Sequence, residues 1–461
     1  MSTEVRTAGA VFHGSRSITA PPTWAQQAMW NTIGRMRPND AFLNAKFALA
    51  VPEGRTVDDV CRAVGEAAAA HEALRTRYPE SADGHITQVV ERSGELPVTV
   101  RASDATPVLT VLDDLAERAF DHAADWPVRF AVLVDDGTPT HLLFVGSHLS
   151  FDGIGKNLLH EDLAARLAGE RPRADRTPPM TAADLAIDEQ SPAAQARNAA
   201  AVARWHRLVD THDVVHFPLA LHDSDIDPRW LVSSMSAPVV APAVELIARR
   251  CRVTTPAVFM AATAVLVSAL SGRPTVVLKN MISNRFTDAE KAFVGTISQS
   301  CATVVHVGGS TFDEVVTRTM TASVRGYSMG RYRLADIYDV APPQLFDCFH
   351  NDLRDVDRRG PGEPPRVEEV TALREVSSAV PALRLPLHGS KFYLEVRDGA
   401  DGPESVLIVD RRHLALAEPE RLLLALAAFL ANRATSPAVG GAVGQLLECL
   451  VRTPIRLDGR T

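Results

Sequence analysis

The sequence predicts an α/β protein built as two lobes. Three observations carry this. A chain of 461 residues exceeds what one ordinary core organises. Helical and strand-like patterns are interspersed in both halves, which suits two α/β lobes better than one barrel. Between the halves, Arg171–Pro179 is rich in proline and charge and reads as a linker. The lobes are therefore expected at residues 1–175 and 176–461.

Taken in order, the breaker pair Pro21-Pro22 and Thr23 introduce a short helix at Trp24–Trp30, and Ala45–Val51 suits a strand. Thr56 is a candidate N-cap for a long helix over Val57–Arg77, with Val57, Val60, Cys61, Val64 and Ala68 as its apolar stripe. His85–Val90 and Pro97–Arg101 read as strands and Leu109–Ala119 as a helix. Val128–Val134 and His141–Gly146 form a strand pair around the turn Asp135–Pro139. The second of these strands is nearly all apolar, so both of its faces should be buried.

That strand runs into Ser147–Gly153, followed at once by a helix over Ile154–Leu167. In the second half, helices are expected at Ala182–Val209, Pro242–Cys251, Pro256–Leu270 and Thr311–Arg325. Strands are expected at Thr275–Met281 and Leu345–His350, a polar loop at Arg354–Glu369, an antiparallel pair at Lys391–Arg397 and Ser405–Asp410, and a closing helix at Pro419–Ala431. No internal repeat of fixed period is visible.

Composition excludes several classes of function. With 46% hydrophobic and 23% charged residues the chain is globular rather than disordered. A net charge of −8 without any basic run gives no electrostatic case for nucleic acid. The five cysteines, Cys61, Cys251, Cys301, Cys348 and Cys449, are far apart and form no CxxC pair. They support neither a disulfide framework nor a zinc site and fit reduced thiols in a cytoplasm. Met1–Ile18 lacks the apolar stretch of a signal peptide, and Pro256–Leu270 is too short to span a bilayer, so no membrane association is expected.

The chemistry concentrates on His148. Histidine titrates near neutrality and can take a proton from a hydroxyl or amine nucleophile. Here it stands at the exit of a buried strand and before a helix N-terminus, whose unpaired N–H groups can stabilise a developing negative charge. Asp152, four residues on, could orient the ring or brace the loop, and Gly153 lets backbone approach a substrate. On spacing alone, a satisfied structural histidine is the commoner explanation.

Other clusters read as bland. Cys348, His350 and Asn351 lie close together, but a strand facing a substrate channel accounts for them. His212, His216 and His222 are too loosely spaced for a metal site. Asp223, Asp225 and Asp227 run into Pro228 and lack the turn glycine of a calcium loop. His71 and Glu72 fit the bracing of a long helix better than contact with substrate.

Ser147-His148-Leu149-Ser150-Phe151-Asp152-Gly153 resembles the HHxxxDG motif of condensation domains from nonribosomal peptide synthetases, and more widely the HxxxD of chloramphenicol-acetyltransferase-like enzymes. Further segments resemble the family in its order. Trp24–Trp30 looks like its N-terminal AQ..LW helix, and His71-Glu72-Ala73-Leu74-Arg75-Thr76-Arg77-Tyr78 is similar to its RHExLRTxF signature. Asn284-Arg285, followed by Val294-Gly295-Thr296, resembles the later arginine motif and the crossover after it, and Leu383–Arg397 is placed like the late strand of the fold. The sequence departs from the motif at Ser147, where the family has a histidine.

The resemblance implies two chloramphenicol-acetyltransferase-like lobes forming a V with a substrate tunnel between them. It implies an acyltransferase of natural-product (antibiotic) biosynthesis that joins an acyl or aminoacyl thioester to an amine or alcohol acceptor, forming an amide or an ester. The donor would hang from the phosphopantetheine arm of a carrier protein acting in trans, and no tightly bound cofactor or metal would be needed.

By the same resemblance, His148 is the general base or positions the acceptor, and Gly153 offers its N–H to the thioester carbonyl. Asp152 pairs with Arg285 and pins the two lobes, with Ser147 supporting, and Asn351, His350 and Ser298 are candidates for substrate contact. Two alternatives stay open. One is a coenzyme A-dependent acyltransferase, although the DFGWG segment of plant-type members is missing. The other is a non-catalytic condensation-like module that binds a carrier protein and recruits another enzyme.

Overall fold

A computed structural model describes residues 5–103, 105–175, 180–221, 226–339, 341–342, 345–354, 365–373, 378–385, 388–400, 402–414, 418–436 and 440–452. The chain packs as two units. The first takes the residues up to Ala199 together with Ser283–Gln299 and Arg331–Leu334, and the second takes Ala200–Ile282, Ser300–Gly330 and the remainder from Ala335. The first unit thus runs past the proline-rich segment, of which residues 176–179 lie outside those described, and draws on two later stretches of chain.

The first unit begins with β1 (Val5–His13), β2 (Ile18–Ala20), α1 (Trp24–Met36), β3 (Ala45–Ala50), α2 (Val57–Ala70), β4 (Thr76–Arg77), β5 (Gln88–Val90) and β6 (Ser93–Ala102). It continues with α3 (Val108–Ala116), β7 (Val128–Asp135), β8 (Thr138–Gly146), α4 (Gly153–Ala168) and α5 (Ala182–Asp188). Its main sheet has the order β1-β6-β7-β8-β3, in which β6 and β7 run parallel and the other neighbours antiparallel. A small antiparallel sheet joins β2, β5 and β4.

β8 is covered on both faces, as its apolar run requires. Leu142 and Phe144 join a core completed by Val60, Val64 and Ala67 of α2 and Leu159 and Leu163 of α4. Leu143 and Val145 point the other way, against Val111 and Leu112 of α3. The strand therefore delivers the next residues, Ser147 onward, to a fixed place.

Two expected helices are shorter than their patterns. Thr56 caps α2 with a reciprocal Thr56–Asp59 box, but the helix ends at Ala70, not Arg77. His71 is extended (φ −116°, ψ 108°). The chain turns there because the Arg75 guanidinium, 1% exposed, is needed inside. It donates to the carbonyls of Ala68, Arg16 and Glu91, satisfying oxygens that a longer helix would leave elsewhere. Likewise Ala182–Val209 is not one helix. It breaks into α5 and α6 (Pro192–Thr211), since Pro192 excludes the preceding residue from helical geometry and Ser191 caps Ala194 instead.

After α6 come β9 (Trp230–Ser236), α7 (Val240–Cys251), α8 (Thr255–Ser271) and β10 (Thr275–Ile282). The short α9 (Asp288–Lys291) belongs to the first unit. Then follow β11 (Gln299–His306), α10 (Phe312–Tyr327), β12 (Cys348–Asp352), α11 (Val367–Leu373), β13 (Ser378–Leu385), β14 (Phe392–Gly399), β15 (Gly402–Asp410), α12 (Pro419–Thr435) and α13 (Ala442–Arg452). The sheet order is β11-β10-β12-β14-β15-β9-β13, and β14 and β15 form the expected antiparallel pair.

The helix α8 is buried all round from Ala257 to Ser268, which explains its uninterrupted apolar run. Among the described residues no single helix is long and apolar enough to cross a membrane. The last helix among the described residues is α13 rather than the one expected at Pro419–Ala431. Most of the expected loop at Arg354–Glu369 lies outside the described residues, as do His222, Asp223 and Asp225.

His216, Asp347 and Cys348 come within metal-ligating distance of one another in the second unit. Their hydrogen bonds give them another task. The Asp347 carboxylate accepts the backbone N–H groups of His216 and Phe217 at 2.8–2.9 Å. The backbone N–H of Val277 donates to His216 Nε2 at 3.1 Å, so the ring proton sits on Nδ1, facing Asp347 at 3.3 Å. Both ring nitrogens are thus committed, and the cluster staples the chain before β9 to β10 and β12. Asp347→Ala should lower the unfolding free energy by about 2–4 kcal/mol, through two orphaned buried N–H groups. Chemical denaturation checks this, and added zinc should not restore the loss.

Candidate active site

At the end of β8 the chain makes a tight turn. The Ser147 carbonyl accepts the N–H groups of Ser150 (2.9 Å) and Phe151 (3.1 Å), and His148 sits within that turn. Leu149 and Phe151 are fully buried and anchor it, while His148 keeps intermediate exposure. Its Nδ1 is buried and unpaired, which leaves Nε2 as the open nitrogen. Burial lowers the proton affinity of the ring from its ordinary value of 6.5, only partly offset by the nearby Asp152 charge and by the backbone carbonyls of His148 and Phe151. At neutral pH the ring is therefore a neutral base.

Asp152 serves a different purpose. It is the N-cap of α4, with φ −83° and ψ 177°, and its carboxylate accepts six hydrogen bonds. Oδ1 takes the N–H of Gly155 at 2.8 Å and Nη2 of Arg285 at 2.8 Å. Oδ2 takes Nη1 of Arg285 at 2.9 Å, the N–H groups of Ile297 and Ser298 at 3.1 and 3.0 Å, and the Ser298 hydroxyl at 2.7 Å. Burial alone would raise its pKa, but Arg285 and the hydrogen bonds outweigh it and hold the carboxyl at about 2. With its oxygens so engaged, Asp152 carries fixed charge and moves no proton.

Arg285 also donates to the carbonyls of Ser283, Phe293 and Gly295. It follows Asn284, whose positive φ of 55° is a conformation asparagine tolerates. Both partners of the Asp152–Arg285 pair lie in the first unit, so the pair closes that unit on itself rather than pinning two lobes. The reason is that 283–299 leaves the strands of the second unit and folds with the first. Two further bonds seat that segment against the motif. Thr296 Oγ1 donates to the His148 carbonyl at 2.8 Å, and the Asp152 N–H meets Gly295 O at 3.4 Å.

Gly155 is required here. A Cβ at Gly155 would lie 2.5 Å from Gly295 O and 2.7 Å from its N. Gly153 is different. It is exposed, and a Cβ there would meet nothing within 4 Å. Gly153 and Ile154 open α4, and their N–H groups are the first-turn donors that Asp152 leaves unused.

The structure therefore gathers His148, Asp152, Gly153, Arg285, Ser147 and Ser298 in one unit. Ser298 directs its hydroxyl at Asp152. His350 and Asn351 lie on β12 in the second unit. There His350 Nδ1 meets Thr263 at 2.9 Å, with its pKa lowered to about 4 by burial, and Asn351 Nδ2 donates to Tyr393 Oη at 2.9 Å. His71 and Glu72 are buried, with Glu72 bound to Arg16 and His71 at 3.5 Å from Asp162.

Three residues absent from the sequence-derived site belong to its frame: Gly155, Thr296 and His122. The last contacts Ser147 from 25 positions earlier, and no spacing pattern announces it.

The family model described as Condensation domain matches residues 17–347. The chain belongs to this family. It is 27% identical over 339 residues to the isonitrile lipopeptide synthase of Mycobacterium tuberculosis, covering 68% of this chain and 13% of that protein. It spans between 2% and 13% of the length of the curated relatives it matches.

Among solved structures, the condensation domain of the Monacolin K polyketide synthase MokA aligns with TM-score 0.71 at 15% identity, covering 92% of this chain and 99% of that one. The X-domain from teicoplanin biosynthesis aligns with TM-score 0.68 at 19% identity, covering 93% and 98%. These likenesses give the fold, the two-lobed chloramphenicol-acetyltransferase-like architecture expected of a condensation domain.

Arg285→Ala leaves a buried carboxylate uncompensated and should destabilise the first unit by about 3–5 kcal/mol, measured by chemical denaturation. Because Asp152 is held below its ordinary 3.8, its contribution is complete above that value and lost as pH falls towards 2. The stability gap between wild type and Arg285→Ala should accordingly shrink over that interval. Gly155→Ala should loosen the 293–298 segment, read as faster amide hydrogen exchange at Ile297 and Ser298.

Proposed function

We propose that this chain is a condensation-type acyltransferase with His148 as its general base. The observation that carries the proposal is a neutral imidazole with an open Nε2, set on a rigid turn beside unused N–H donors of a helix N-terminus. The donor is an acyl or aminoacyl thioester on the phosphopantetheine arm of a carrier protein, and the acceptor is an amine or an alcohol.

The acceptor nitrogen or oxygen attacks the thioester carbonyl carbon while its proton passes to His148 Nε2. The carbonyl oxygen becomes an oxyanion, for which the Gly153 N–H is the candidate donor. Collapse of the intermediate breaks the carbon–sulfur bond, and the leaving thiolate recovers the proton from His148. An amide or ester and a free thiol result, with no change in oxidation state. Asp152 and Arg285 hold the turn and take no part in proton transfer. Ser298, His350 and Asn351 are candidate contacts for the substrates.

A second reading is a binding module that recruits another enzyme. It is favoured by the serine in place of the motif's first histidine and by the likeness in fold to the X-domain from teicoplanin biosynthesis, a structure also solved with OxyB. His148→Ala separates the two. With loaded carrier proteins followed by intact-protein mass spectrometry, the acyltransferase reading expects discharge to slow by roughly 10²-fold or more. Unchanged discharge leaves the binding module. The rate of the wild type should fall only on a limb below pH 6.5, the ordinary histidine value, because burial lowers the affinity of His148 for the inactivating proton. Gly153→Ala should fold normally, since its added methyl meets no protein atom within 4 Å, and should slow turnover by crowding a thioester carbonyl at the Gly153 N–H.

A further inference from the structure

His148 is flanked by two serines, and each is held by a buried aromatic side chain from elsewhere in the first unit. The Ser147 hydroxyl lies 2.8 Å from Nε2 of His122, and the Ser150 hydroxyl lies 2.8 Å from Tyr78 Oη. The two holds are themselves joined, because the Tyr78 N–H donates to the His122 carbonyl at 2.7 Å. Ser147 and Ser150 are tied across the turn by the Ser150 N–H to Ser147 carbonyl bond of 2.9 Å. The result is a closed ring of hydrogen bonds around the turn that presents His148. His122 itself packs edge-on against Trp30 at 5.4 Å, and Tyr78 Oη is held further by Gln26 at 3.2 Å.

The direction of the His122–Ser147 bond follows from donor arithmetic. The Leu149 N–H already donates to Ser147 Oγ at 3.2 Å, and His122 Nδ1 is buried with no partner. Burial holds the His122 ring neutral, with a pKa of about 4, so it has a single N–H. If Nε2 carried that proton, the Ser147 hydroxyl hydrogen and the Nδ1 lone pair would both be left unpaired. With the proton on Nδ1, only that N–H is unpaired, and Ser147 donates to Nε2. The second arrangement leaves fewer buried groups unsatisfied and therefore prevails. His122 then fixes the hydroxyl rotor of Ser147 and aims its lone pair at the N–H of Leu149, the residue directly after His148.

We propose that His122 is a positioning residue for His148, acting through the Ser147 hydroxyl to hold the turn in the geometry that exposes Nε2. The proposal rests on the reading of His148 as the reactive base. It accounts for a serine at position 147: the position needs a short side chain that can give one hydrogen bond to His122 and take one from Leu149.

The test uses diethyl pyrocarbonate, which acylates an unprotonated imidazole nitrogen, on the full chain at pH 7.5, with the rate at His148 read by peptide mass spectrometry. His122→Leu keeps bulk but removes the acceptor, and the His148 rate should drop roughly tenfold, the equivalent of one buried hydrogen bond. His122→Gln places an amide oxygen near the lost Nε2 and should recover most of that rate. Ser147→Ala, which keeps both rings, should match His122→Leu and carries the test if the leucine variant does not fold.

Equal His148 rates in wild type, His122→Leu and Ser147→Ala overturn the proposal. So does a glutamine variant no better than leucine, which would trace the effect to packing. The outcome is separable from that of the acyl transfer reading. Unchanged carrier discharge by His148→Ala sinks the latter, whatever the carbethoxylation rates show.

Discussion

The organisation of this site depends on one buried carboxylate. Asp152 ties the end of the His148 turn and the adjoining first turn of α4 to a segment far along the chain, the one carrying Arg285, Ile297 and Ser298. Burying a charge is costly unless it is paired and hydrogen-bonded. Here the bidentate arginine and four further donors meet that condition, and together they keep the carboxylate ionised inside. The requirement works in reverse as a specification. Few backbone paths other than the observed one satisfy the oxygens of Asp152.

The same burial treats the two members of the His148–Asp152 pair differently. Asp152 accepts six hydrogen bonds, two of them from a cation, and stays charged, whereas for His148 burial outweighs the groups that favour its charged form and lowers its proton affinity. A charged, motionless brace and an uncharged, open base thus arise four residues apart from environment alone. The familiar picture of an aspartate polarising a catalytic histidine does not apply. The attraction from Asp152 is felt by the ring but does not offset the loss of water around it.

Much of this was legible in the sequence, and the failures are instructive. The near-continuous apolar run of β8 could be placed from local information, its composition and the turn before it, whereas the His148 segment and Arg285 were singled out by their resemblance to the condensation motifs, spacing alone being too weak. The overlong helix at Val57–Arg77 failed because its pattern is helical as far as Ala70, and nothing local says that Arg75 must turn inward to satisfy three carbonyls. Pro192 was a local signal and should have divided Ala182–Val209. His122 could not be found at all. Its role depends on Tyr78, Trp30 and Ser147 converging in space, and no periodicity in one segment encodes that convergence. Nor could the unit to which 283–299 belongs be read from sequence order.

The placement of that segment bears on how the protein is made. Residues 283–299 leave the second unit after β10, fold with the first, and return at β11. During synthesis the His148 turn therefore emerges well before the arginine that neutralises its aspartate, with α7, α8 and β10 made in between. Until Arg285 arrives, Asp152 has no cation to justify its burial, and the turn has no reason to settle. An N-terminal fragment that ends before Arg285 lacks the cation that Asp152 pairs with. The Asp152–Arg285 pair is completed only after the chain has passed through the core helices of the other unit.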